Sequence, residues 1–202
     1  NLGYQKLFTS LHIPEADYRT LLTDCRVLLE EAKRLNFTVT ADISPRTWIL
    51  LGIEPSELGS WGIDTLRLDY GFAPAIMREL ADAGDLRIEV NASSMGENEL
   101  SRLLETGIDP AVLCAGHNYY PRPDTGLSFE LFVRRSQFFQ AMKIPVSVFV
   151  PGLKHPRGPL FAGLPTVEMH RRMTPVAAVR QLWASGLVDS IVFGDPLIPT
   201  ED

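Results

Sequence analysis

Cysteine is scarce: Cys25 and Cys114 are the only two in 202 residues. One sits in a helical pattern and the other in an apolar run, so both read as small buried hydrophobes. The four histidines and two cysteines show none of the close spacings that a zinc site uses. No metal and no other cofactor is expected. Also missing are an apolar segment long enough to span a bilayer and the basic-then-apolar profile of a signal peptide. The expectation is a cytoplasmic, reducing compartment with no membrane partner. There is no Lys/Arg run, and the formal net charge of −6 argues against a chain-wide attraction to nucleic acid. Any anionic ligand has to be met by a local cluster. Gly-x-Ser-x-Gly, Walker-type and dinucleotide glycine patterns are absent, which removes most of the case for serine nucleophiles and nucleotide binding. No feature of the sequence speaks to oligomeric state.

What is present is enough apolar residue, 45%, to bury a full core. Short apolar runs recur at 7–13, 38–43, 65–68, 86–90, 112–115, 146–150 and 190–193. Segments of helical periodicity lie between them, at 18–35, 75–83, 97–105, 129–142 and 175–185. Pro45, Pro74 and Pro175 stand at first helical positions, and Gly84, Gly107 and Gly186 follow the last periodic residues. Repeated βα units with nearly continuous apolar strands imply a parallel sheet covered by helices.

Polar residues gather at the C-terminal ends of almost every strand: Ser10, His12, Asp42, Asp69, Asn91, Ser93, His117, Asn118 and Asp195. A doubly wound sheet would concentrate them at one switch point, whereas the βα loops of a (β/α)8 TIM barrel share one site around the mouth. The expectation is an α/β (β/α)8 barrel in a single domain over 1–202. With seven strands visible it is incomplete, its first strand and helix missing before Asn1.

Individual motifs carry different weights. Arg67 and Glu89 alternate with apolar neighbours on adjacent strands and are expected to form a structural ion pair, since a buried charge has to be paired. Asp69 and Asn91, one step nearer the mouth, are better candidates for chemistry. Ser44 is explained as an N-cap before Pro45, while Asp42 is not explained by capping. Residues 152–172 are the longest stretch without periodicity, and such loops tend to be functional or disordered. Within it Arg157-Gly158 lets a guanidinium and a backbone N–H approach a phosphate or carboxylate, with Lys154 as a weaker contributor. The run His117-Asn118-Tyr119-Tyr120-Pro121-Arg122 puts an imidazole, an amide, two phenols and a guanidinium directly after a buried strand.

The stretches "FTSLHIPE" (8–15), "ADISPR" (41–46), "LRLDYGF" (66–72), "NAS" (91–93), "HNYYPRPDTGLS" (117–128), "RGPL" (157–160), "GLPTVEMHR" (163–171) and "GD" (194–195) occur together in this order. With them the chain resembles the MupG-type 6-phospho-N-acetylmuramidase family over nearly its whole length. The resemblance implies a TIM-barrel glycoside hydrolase of the bacterial cytoplasm that cleaves 6-phospho-N-acetylmuramic acid from N-acetylglucosamine in cell-wall sugar recycling. It also implies a β-rich C-terminal domain that this sequence lacks. The partner is then a phosphorylated amino-sugar disaccharide, with His12, Asp42, Asn91, His117, Asn118, Tyr120, Arg122, Arg157 and Gly158 as substrate-binding candidates.

From position and chemistry, Asp69 and Glu168 are the candidate catalytic carboxylates. A separation of about 5 Å would mean a retaining route and roughly 6.5–9.5 Å an inverting one, and a 2-acetamido sugar can also supply its own nucleophile. A barrel that binds sugar phosphate without hydrolysing it is the alternative.

Overall fold

The computed structural model describes residues 4–11, 18–52, 54–68, 71–84, 86–152 and 154–196. Two site candidates, His12 and Asp69, lie outside the described residues. Seven strands alternate with helices, and their order in the sheet follows their order in the chain. All the pairings described are parallel. The fold class is α/β, that of a (β/α)8 barrel with one strand fewer than eight among the described residues. No helix among them is long and apolar enough to cross a membrane.

The chain divides into two compact units. The first, residues 1–91 and 95–113, holds β1 (Lys6–Ser10), β2 (Thr38–Ile43), β3 (Thr65–Leu68) and β4 (Arg87–Asn91). Around them run α1 (Tyr18–Arg34), α2 (Pro45–Leu51), α3 (Pro55–Ser60), α4 (Pro74–Gly84) and α5 (Glu97–Glu105). Its core is aliphatic: Leu29, Val39, Ile43, Leu58, Leu66, Ile88, Leu100 and Leu103 are fully or almost fully buried. Each such side chain contributes roughly 1.5–3 kcal/mol relative to exposure. The Ser44 hydroxyl accepts the Thr47 N–H at 3.2 Å and Pro45 fills the first helical position, so α2 begins where the expected cap puts it.

The second unit, residues 92–94 and 114–202, holds β6 (Val146–Val150) and β7 (Ser190–Phe193) and most of β5 (Leu113–Gly116), with α6 (Phe129–Ala141) and α7 (Pro175–Ala184). Phe132, Phe139, Val148, Val150, Val167, Ala178 and Leu182 form its core. The strand expected over 112–115 begins one residue later. Asp109 accepts the Ala111 N–H at 2.9 Å and Pro110 opens a single 3-10 turn that takes in Val112, holding that residue out of the strand. Helix α7 starts at Pro175 under a Thr174 cap and stops before Gly186, whose φ of 67° is left-handed backbone that a side chain would strain.

Candidate functional site

In the first unit the parallel register lines up Ser10, Asp42, Arg67 and Glu89 across four strands. Since strand side chains alternate faces, these polar groups share one face and one layer. Arg67 donates from Nη1 to Glu89 Oε1 at 2.7 Å, with side chains 5% and 8% exposed. This is the buried pair that the alternation predicts. Ser10 Oγ reaches Asp42 Oδ2 at 3.5 Å, a long contact, and both residues are half-buried. Asn91 ends β4 half-buried, and its carbonyl accepts the Met95 N–H at 2.9 Å.

In the second unit the loop after β5 (117–128) begins with a histidine that faces no solvent. His117 is fully buried, its Nδ1 3.2 Å from Ser93 Oγ and its Nε2 3.1 Å from Ser136 Oγ, with the ring tilted against Phe132. This substrate-binding candidate thus has both ring nitrogens within hydrogen-bond distance of serine hydroxyls. Ser93 Oγ also accepts the Asn118 N–H at 2.9 Å, and the Asn118 carbonyl accepts the Thr166 hydroxyl at 2.8 Å. Tyr119 and Tyr120 are half-exposed and Arg122 is exposed. Tyr119 stands edge-on to Phe149 with centroids 5.2 Å apart.

The loop after β6 (151–167) is organised by one acid. Asp195, just past β7 and 3% exposed, accepts the N–H of Gly152 at 2.7 Å and of Leu164 at 3.3 Å on Oδ2, and of Arg157 at 2.7 Å on Oδ1. A buried carboxylate is costly unless its lone pairs are met, and here backbone donors meet them. The Arg157 side chain is exposed and donates to Tyr119 Oη at 3.3 Å. No carboxylate among the described residues pairs with its guanidinium. Gly158 follows, exposed, with the Phe161 ring so close that a Cβ on the glycine would lie 3.1 Å from Cζ.

Glu168 and Arg171 sit in a short 3-10 helix (Glu168–Arg172), where residues three apart eclipse. Arg171 Nε donates to Glu168 Oε1 at 2.6 Å and Nη2 to Oε2 at 2.8 Å. The same carboxylate accepts the N–H of Asp124 at 3.0 Å and of Gly126 at 2.8 Å. A Cβ at Gly126 would come within 2.6 Å of Glu168 Oε2, so this approach requires glycine. The Arg171 guanidinium, followed by burial acting the other way and by the two backbone donors, takes the Glu168 carboxyl from its ordinary 4.5 down to about 2. The sequence reading missed Arg171 and the organising role of Asp195. The Glu-x-x-Arg spacing is the one signal that points to the former.

Among the described residues no group of three or more His, Cys, Asp or Glu side chains is placed to hold a metal ion. The family model described as 6-phospho-N-acetylmuramidase, N-terminal, matches residues 1–202. None of the curated proteins matches the chain. Among solved structures, a conserved protein of unknown function from a locus in Enterococcus faecalis is 36% identical with a TM-score of 0.88, over 98% of this chain and 55% of that one. An uncharacterized B. cereus protein is 27% identical with a TM-score of 0.82, over 99% of this chain and 55% of that one. The chain thus spans about half the length of both.

Proposed function

Since the chain belongs to the 6-phospho-N-acetylmuramidase family through its N-terminal domain, we propose that it cleaves 6-phospho-N-acetylmuramic acid from N-acetylglucosamine. The family's description implies a glycosidase and a phosphorylated sugar substrate. A role in recycling cell-wall sugars in the cytoplasm is the finer part of the proposal. The observation that carries it is Arg157: an exposed guanidinium without a carboxylate partner among the described residues, on a loop that Asp195 fixes by three backbone hydrogen bonds.

In this reading Arg157 offers its fork and Gly158 its N–H to the 6-phosphate, while Tyr119 and Tyr120 lie against pyranose faces. Asp69 is the carboxylate that acts at the glycosidic bond. Glu168, expected as its partner, is charged at neutral pH and has both oxygens engaged, so it does not supply a proton. In a substrate-assisted route the sugar's 2-acetamido oxygen attacks C1, protonated Asp69 gives its proton to the departing N-acetylglucosamine oxygen, and water opens the oxazolinium ion and returns a proton to Asp69.

Incubation with the disaccharide, with and without its 6-phosphate, tests the proposal by product analysis. N-acetylglucosamine and the phosphorylated muramic acid should form from the first substrate and not from the second. Binding without turnover would leave a sugar-phosphate-binding barrel.

A further inference from the structure

We infer that Glu168 and Arg171 form a positioning clamp that locks the loop after β5 and the loop after β6 into one arrangement, and thereby sets the geometry of Arg157 and Tyr119 for an anionic sugar. Part of this inference, the consequence for ligand binding, rests on the proposed phosphorylated-sugar site; the clamp itself does not.

The Arg171 side chain is 7% exposed, and its donors are divided with little left over. Two go to Glu168, as described. Nη1 donates to the carbonyls of Ala162 at 3.2 Å and Gly163 at 2.9 Å, at the far end of the loop that carries Arg157. Nη2 also donates to the carbonyls of Tyr120 at 2.9 Å and Arg122 at 3.1 Å, in the loop after β5. Glu168 answers from the other side, accepting N–H groups of that same loop at Asp124 and Gly126. The pair's partners are thus main-chain groups on both loops.

Two further contacts show what the clamp positions. Asp195 holds Gly152, Arg157 and Leu164, so the loop after β6 is fixed by Asp195 on its N–H groups and by Arg171 on its carbonyls. The Arg157 to Tyr119 hydrogen bond then joins side chains of the two clamped loops. An exposed ion pair would have little leverage. Here removal of either partner strands the other with backbone groups that have lost their match.

The test combines amide hydrogen exchange with steady-state kinetics on the 202-residue chain, using Glu168→Gln, Arg171→Lys, the double variant and Gly126→Ala. Exchange over 118–128 and 152–164 should accelerate about tenfold or more in each single variant, with α6 and β6 unchanged. The KM for the phosphorylated disaccharide should rise about tenfold or more in parallel, with kcat near wild type, and the double variant should be no worse than either single one. Gly126→Ala keeps both charged side chains but sets a methyl group 2.6 Å from Glu168 Oε2, and should reproduce the effect. Unchanged exchange in either loop overturns the clamp. Collapse of kcat in Glu168→Gln alone, with Arg171→Lys at wild-type KM, makes Glu168 a catalytic residue and overturns it too. If the wild-type chain turns over neither disaccharide, the functional proposal fails, and the exchange measurement still decides the clamp.

Discussion

Arg157 is the residue on which the phosphate reading stands. Losing a charge-assisted contact costs about 1.5–3 kcal/mol, which converts to roughly ten- to more than a hundredfold in affinity. Arg157→Ala should raise the KM for the phosphorylated disaccharide by that factor and leave any activity on the unphosphorylated one unchanged. An equal loss on both would make Arg157 structural. Glu168 gives a different kind of prediction. Its folded carboxyl, near 2 against an ordinary 4.5, binds a proton less readily than the unfolded chain does. Its contribution is therefore complete above about pH 4.5 and disappears as pH falls to about 2. Burial also pushes the His170 imidazole below its ordinary 6.5, so the unfolded chain takes up that proton first and stability begins to fall below about pH 6.5. Urea midpoints measured from pH 7 to pH 2.5 should decline in two stages, and the lower one should be smaller in Glu168→Gln. A wild-type midpoint that stays flat below pH 4.5 would contradict the assignment.

At the scale of elements, the regular parts were legible because their signals are local. Ser44-Pro45, Thr174-Pro175 and Gly186 mark helix ends with groups that satisfy or release backbone bonds within a few residues. Alternation on two strands was enough to pair Arg67 with Glu89. The short helix α3 was not anticipated, because Pro55-Ser56-Glu57-Leu58-Gly59-Ser60 has a single apolar position and no period to read. The loops after β5 and β6 were recognisable as chemistry but not as geometry. Their fixing groups, Asp195, Glu168 and Arg171, bind backbone N–H and C=O groups, and every residue type but proline presents those alike. His117 shows the same limit from the other side: the sequence displays an imidazole but not the two serine hydroxyls, Ser93 and Ser136, that enclose it. His12 and Asp69 lie outside the described residues.

At the scale of the whole molecule, the parallel order of seven strands requires each strand to find its neighbours in one alignment. Aliphatic strands discriminate weakly between alignments, because Val, Leu and Ile pack acceptably in many. The buried Arg67–Glu89 pair bears on this choice. A slip of one residue between β3 and β4 would set Arg67 beside Ile88 or Val90 and leave two charges stranded in apolar surroundings. Breaking such a pair costs about 3–5 kcal/mol, although the pair itself adds little net stability over a well-packed apolar replacement. Arg67→Met and Glu89→Leu should each destabilise the chain by about that amount, while the two together should nearly restore the urea midpoint. The double variant should nonetheless refold with more off-register and aggregated product, read by light scattering and by the yield of native chain. Equal refolding yield would show that the aliphatic strands align themselves. Otherwise the ion pair works as a proofreading device: it adds almost nothing to the correct sheet and charges a toll on each incorrect one.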